Sequence, residues 1–202
     1  MNFKKIIAVF SAAAMIVSVT PAVGASKAPE PASSKQPAKS AQSSKTAVEP
    51  TKLTKINHES LMPLLREAQA RYWYAMSGGK GGEMNTFEYK GSDYRYLSED
   101  IGTRAKLLDY LMETYTKQAS EYLIKKFFIE HEGKMAQLNA DGGNILDYDK
   151  ATAKMLSMTD TKRTYRLTVP YPEQLQGPER IVVKFEKVGG YWRIATAPHA
   201  VF

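Results

Sequence analysis

Between Gln137 and Leu156 the chain reads QLNADGGNILDYDKATAKML, and Asp141, Asn144, Asp147 and Asp149 crowd around the pair Gly142-Gly143. Oxygen-bearing side chains at this density can hold a calcium ion, supply half of a catalytic carboxylate pair, close a tight turn, or form a loop that touches another protein. An EF-hand loop needs Asp or Asn at its third and fifth positions and Glu at its twelfth. Counted from Asp141, those positions hold Gly143, Ile145 and Thr152. The spacing therefore disfavours a metal, and neither a metal nor a cofactor is expected. A structured turn is the physical minimum, because the glycines suit positive φ while Asn139 and Asp141 can bond their own backbone.

Catalysis would need a nucleophile with a positioned base, or two carboxylates whose pKa values are held apart. The chain has three histidines and no cysteine. His58, His131 and His199 pair with no Ser or Asp at a recognisable motif spacing, and each is expected to face solvent. Without cysteine there is no thiol nucleophile, no disulfide and no lipid-attachment cysteine. Hence no catalytic residue is assigned, and the chain is not expected to be an enzyme. Tyr72-Trp73-Tyr74 and the tyrosines at 94 and 96 have rings that can stack on a sugar or peptide, although core and sheet packing is the commoner use.

The elements that must position these residues follow from periodicity. Leu61, Leu64, Leu65, Ala68, Tyr72 and Ala75 recur at helical spacing, with Asn57 or Ser60 as N-cap, Pro63 in the first turn and Gly78-Gly79 as the stop. Thr86 to Tyr89 and Asp93 to Leu97 alternate with period two around Lys90-Gly91-Ser92, a hairpin. Helical spacing returns from Thr103 to Phe127, as one helix or as two broken near Thr116. Strands are then expected around Glu132-Gly133, over 153–159, 164–169 and 180–188, and over 191–197 after Gly189-Gly190. Helices followed by an antiparallel meander predict an α+β fold, with N-terminal helices packed on a curved antiparallel sheet in a cystatin-like or NTF2-like layout.

Charge divides the chain differently. Residues 1–25 join Lys4 and Lys5 to an apolar run and a small-residue cleavage point, the pattern of a secretory signal peptide; the apolar run is shorter than the roughly 20 residues a spanning helix needs. Residues 26–55 are rich in Lys, Pro, Ser and Ala, and read as a disordered tether with six lysines against two glutamates. Of the chain's net charge of +7, the segment 56–202 keeps only +1. A single domain over 56–202 with no basic stripe argues against a nucleic-acid partner. The tether is suited to loose contact with a cell wall or other anionic polymer.

A set of blocks carries a resemblance: WYAMSG from Trp73, FEYKGSDYRYLSEDIGTRAKLLDYL, YTKQASEYLIKKF, GKMAQLNADGGNILDYDKATAKM, RTYRLTVPYP and the ending GGYWRIATAP. In this order they resemble the IseA family of bacterial DL-endopeptidase inhibitors, over nearly all of 61–198. The resemblance implies a protein secreted by a Gram-positive bacterium, extracellular or wall-associated, that blocks NlpC-type cysteine autolysins cutting peptidoglycan. It implies occlusion of the enzyme's cleft by a loop, with the endopeptidase catalytic domain as partner. On that basis the candidate contact is Asn139, Asp141, Gly142, Gly143 and Asn144, with Asp141 meeting the catalytic histidine or a basic cleft wall. Folding of a difficult turn is the competing use of the same block. A non-catalytic module that binds the wall through sheet aromatics and tether is the alternative function.

Because the loop misses the calcium spacing, adding calcium or a chelator is expected to leave the melting temperature unchanged, since a ligand bound only by the native state raises its stability. A thermal scan displaced by several degrees would restore the ion site.

Overall fold

A computed structural model describes residues 49–80, 85–139, 144–174 and 176–202. Among them are three α-helices, α1 (His58–Met76), α2 (Arg104–Met112) and α3 (Lys117–Phe127). The strands are β1 (Thr86–Tyr89), β2 (Ser92–Tyr96), β3 (Phe128–His131), β4 (Lys134–Leu138), β5 (Thr152–Met158), β6 (Lys162–Val169), β7 (Glu179–Val188) and β8 (Tyr191–Ile194). The α+β class and the antiparallel pairing are as expected, but the strands form two four-stranded sheets, ordered β1-β2-β4-β3 and β5-β6-β7-β8. No described helix is long and apolar enough to cross a membrane.

Local chemistry sets the helix limits. The Asn57 carboxamide accepts from the Ser60 amide at 2.9 Å while the Ser60 hydroxyl accepts from the Asn57 amide at 3.0 Å, so the two N-cap candidates form one capping box. Pro63 is the sixth helical residue, in the second turn and not the first; the bond it removes would have reached back to the exposed start of the helix. Gly78 and Gly79, both at φ 91°, end α1. A Cβ on Gly79 would lie 2.0 Å from Ser98 Oγ, so this turn also needs glycine for close approach. Thr103 and Thr116 cap α2 and α3, which settles that the 104–127 region is two helices.

The break between those helices has a tertiary cause. Around Tyr115 the linker pairs with β8 as a parallel bridge, with Thr116 donating to the Ile194 carbonyl at 2.9 Å and Ile194 donating to Thr114 at 2.8 Å. A continuing helix would have used the same amides internally. Tyr115 is 1% exposed, and its hydroxyl donates to the Ala68 carbonyl of α1 at 2.7 Å. Its burial holds the phenol well above its ordinary pKa.

The core lies between the helices and the inner face of the second sheet, where Tyr165, Leu167, Val169, Val183, Phe185, Trp192 and Ile194 meet α1 and its neighbours. The first sheet contributes Phe128 and Met135. On its other face Phe87 of β1 stacks 4.3 Å from His131 of β3, across the two intervening strands β2 and β4, on the side of the fully buried Ala136. All three two-residue hairpin turns, Lys90-Gly91, Glu132-Gly133 and Gly189-Gly190, have positive φ at both positions, the geometry that matches strand twist.

The packed chain begins upstream of Ile56. Pro50–Lys52 forms a short 3-10 helix, Thr51 and Leu53 are buried, and the Leu53 and Thr51 carbonyls accept from the Trp192 amide and the Arg193 guanidinium, each at 2.8 Å. Residues 49–55 were expected in the tether on composition, which does not register one leucine placed against a sheet edge. A chain cut to start at Lys45 is accordingly expected to match the uncut protein in urea denaturation. A chain starting at Ile56 should lose about 2–4 kcal/mol, the scale of one buried leucine with its hydrogen bonds. Equal midpoints for the two truncations would refute this boundary.

Candidate functional site

The stretch singled out in the sequence connects the two sheets. Its first foot follows β4, where Asn139 is exposed and its amide donates to the Asp93 carbonyl of β2 at 2.8 Å. Ala140, Asp141, Gly142 and Gly143 lie outside the described residues. At the second foot the Asn144 carboxamide accepts from the Leu146 amide at 3.1 Å, an Asx turn. Asp147 then donates its amide to the Pro170 carbonyl at the end of β6, at 2.8 Å. Of the five candidate contact residues, Asn139 and Asn144 are described; both are exposed, Asn139 bonded through its amide to β2 and Asn144 closing a local turn three residues before Asp147 bonds to Pro170.

Burial anchors the second foot. Tyr148, 4% exposed, sits in a 3-10 turn, packs its ring 5.1 Å from Phe202 and donates its hydroxyl to the Val201 carbonyl. Desolvation pushes that phenol up to about 12, so it remains a donor across the neutral range. The neighbouring carboxylates are occupied separately. Asp147 pairs with Lys150 at 2.8 Å, which holds it below the usual carboxylate range, and Asp149 pairs with Arg66 of α1 at 2.8 Å. These pairs lie in solvent and add little, whereas burying a large apolar side chain contributes roughly 1.5–3 kcal/mol. Packing of Tyr148 and Leu146 therefore fixes the foot, and the ion pairs trim it.

Sequence reading passed over Ile145. It is 61% exposed, directly after Asn144. An exposed aliphatic side chain beside polar loop residues supplies the apolar contact that a protein interface needs at its centre. Its position in the loop was legible, but its exposure was not, because an isoleucine before a leucine reads equally well as core.

The other sequence candidates are structural. Tyr72 is buried, and the rings of Tyr94 and Tyr96 stack on Phe87 at 5.9 and 4.6 Å. His58 is exposed as expected, but His131 and His199 are not simply solvated. His131 Nδ1 lies 2.6 Å from the Tyr96 hydroxyl beneath the Phe87 stack. His199 stacks on Tyr122 at 5.3 Å with planes 8° apart, and its Nδ1 is buried without a hydrogen-bond partner. An open cleft of about 940 Å³ lies beside the end of α1. Its Ser98 hydroxyl already accepts from the Lys80 amide and donates to Asp100, and its Lys106 ammonium donates to the Glu99 carbonyl. Among the described residues no serine or threonine hydroxyl is hydrogen-bonded to a histidine.

Residues 52–199 match the family model described as IseA DL-endopeptidase inhibitor. The Bacillus subtilis (strain 168) protein named "Uncharacterized protein YoeB" is 32% identical over 146 residues, covering 69% of this chain and 80% of that one.

His199 gives the domain a pH signature. Burial, reinforced by Lys126, depresses its pKa below the ordinary 6.5. A depressed folded-state value means the unfolded chain binds the proton first, so this contribution is present above the unfolded pKa and is lost as pH falls through the folded one. Denaturation midpoints should therefore decline from about pH 7.5 to about pH 5, and less steeply in His199→Phe, which keeps the ring stack and removes the proton site. Parallel profiles for the two proteins would refute the assignment.

Proposed function

The chain belongs to the IseA DL-endopeptidase inhibitor family, and from that premise we propose that it is a secreted inhibitor of NlpC-type peptidoglycan endopeptidases that acts by occluding the catalytic cleft with the 139–144 loop. The observation that carries the mechanism is the anchoring of both feet. Asn139 is tied to β2 of one sheet, and the segment from Asn144 to Tyr148 is tied to β6 of the other sheet and to the C-terminus.

Feet fixed before encounter lower the ordering cost of binding, and more of the contact energy then appears as affinity. Asp141 supplies the charge for a basic cleft wall or the catalytic histidine, and Ile145 supplies the apolar contact beside it. Blocking access requires no chemistry from the inhibitor itself. Secretion is supported by the signal-type pattern of residues 1–25, and a location at the wall by the lysines of the tether.

Replacing Asp141 by Ala should weaken inhibition by roughly 2–5 kcal/mol, the cost of truncating one partner of a buried charge pair, with the melting temperature unmoved. Replacing Ile145 by Ser should weaken it by about 1–2 kcal/mol, again in a stably folded protein. The check is an inhibition constant on a soluble stem-peptide substrate, read beside a melting curve. If Asp141→Ala is folded and inhibits like the parent, the contact lies elsewhere, and the 170–178 connection is the next surface to test. If inhibition and folding fall together, the block is architectural.

A further inference from the structure

Pairing in the second sheet gathers charge that the sequence disperses. Buried Tyr165, Leu167 and Val169 define the inner side of β6, so Lys162, Thr164, Arg166 and Thr168 line the outer side. The register places Lys154 of β5 and Val182 of β7 opposite Arg166, and Arg180 and Lys184 flank Val182 at the diagonal positions. Arg166 is therefore bordered by three cations. The sole carboxylate on these three strands' outer side is Glu186, and it already pairs with Lys162 at 3.2 Å. Arg66, Arg71 and Arg104 each form an ion pair, and among the described residues Lys154, Arg166, Arg180 and Lys184 form none. Residues 56–202 sum to +1, yet this face holds five cations against one carboxylate.

Like charges directly opposite on paired strands destabilise a sheet. No acidic side chain of these strands relieves the Lys154–Arg166 repulsion, and an external anion would do so. We propose that the outer face of β5-β6-β7 binds a flexible polyanionic phosphodiester polymer, of the polyol-phosphate kind, lying across the strands.

The chemistry fits in three respects. Arginine and lysine meet phosphate oxygens through charge-assisted bonds, the hydroxyls of Thr152, Ser157, Thr164 and Thr168 stand between them as further donors, and neither the cleft beside α1 nor that beside α3 is lined by a residue of this face. Other occupants fit less well. The chain's own tether is itself basic, and a second copy would oppose cations to cations. A protein interface wants an apolar, often aromatic centre, where this face has Arg166. The choice of an extracellular polymer over nucleic acid rests on the secreted reading above; inhibition is measured separately so that the two can fail independently.

The test uses the full chain and poly(glycerol phosphate) as probe at low ionic strength. The triple variant Arg166→Gln, Arg180→Gln, Lys184→Gln should bind about tenfold or more weakly, with a shallower salt dependence. A variant losing the same charge from the tether, Lys27→Gln, Lys35→Gln, Lys39→Gln, should lose about threefold or less. Relief of like-charge repulsion should leave the triple variant's melting temperature unchanged or raised. If it is lowered, the exposed pair Lys154→Gln, Lys184→Gln replaces it, with about fivefold loss expected. Equal losses for face and tether variants, or no loss at the face, overturn the proposal. So does tighter face-dependent binding to single-stranded DNA or to anionic phospholipid vesicles. Loss of endopeptidase inhibition with polymer binding intact would instead make the face an enzyme contact.

Discussion

The covered edge of β8 is the constraint on which the rest of the fold depends. An open strand edge exposes a row of unpaired amides and carbonyls, and here two distant pieces of chain fill it. The α2–α3 linker pairs with Ile194, and the segment before α1 gives its Leu53 carbonyl to Trp192. The Arg193 guanidinium binds both pieces at once, donating to the Met112 carbonyl at 2.9 Å and the Thr51 carbonyl at 2.8 Å. Its partial burial lowers its pKa, but a guanidinium in that range remains charged at neutral pH. From this junction the helices take their angles: Tyr115 leaves the bridge, fills the space beneath α1 and bonds its Ala68 carbonyl.

A second consequence concerns the connection between the sheets. The chain leaves the first sheet after Leu138 and enters the second at Thr152. Everything between must span two layers that share a core but no strand pairing. Among the described residues of this connection, Asn139 bonds to the Asp93 carbonyl of β2 and Asp147 to the Pro170 carbonyl just past β6.

The two solvent sides of the sheets differ in the way they are completed. In the first sheet the rings of Phe87, Tyr94, Tyr96 and His131 cover one another, so curvature satisfies their apolar surface internally. In the second sheet the outer side is flat in chemistry, with threonines and cations and little to pack. Residues Met155, Leu156 and Met158 on the β5 edge remain substantially exposed, and the register shift there, together with Lys154, discourages edge pairing.

Local rules made much of this protein legible in its sequence. Helical spacing from Leu61 to Ala75, the capping pair Asn57 and Ser60, the glycine stop and the three hairpin turns depend on residues a few positions apart, and that short range is why they can be read. The family is likewise carried by ordered blocks along the chain, and the 139–144 candidate was named from one of them. Tertiary structure decided what depends on distant partners. The break at Tyr115 follows from β8, which lies about eighty residues away along the chain. The packing of Leu53 follows from Trp192, and the division into two sheets from which strands find each other. Most plainly, Lys154, Arg166, Arg180 and Lys184 are scattered residues in a nearly neutral segment until strand register sets them side by side, and register is a property of pairing that no single strand contains.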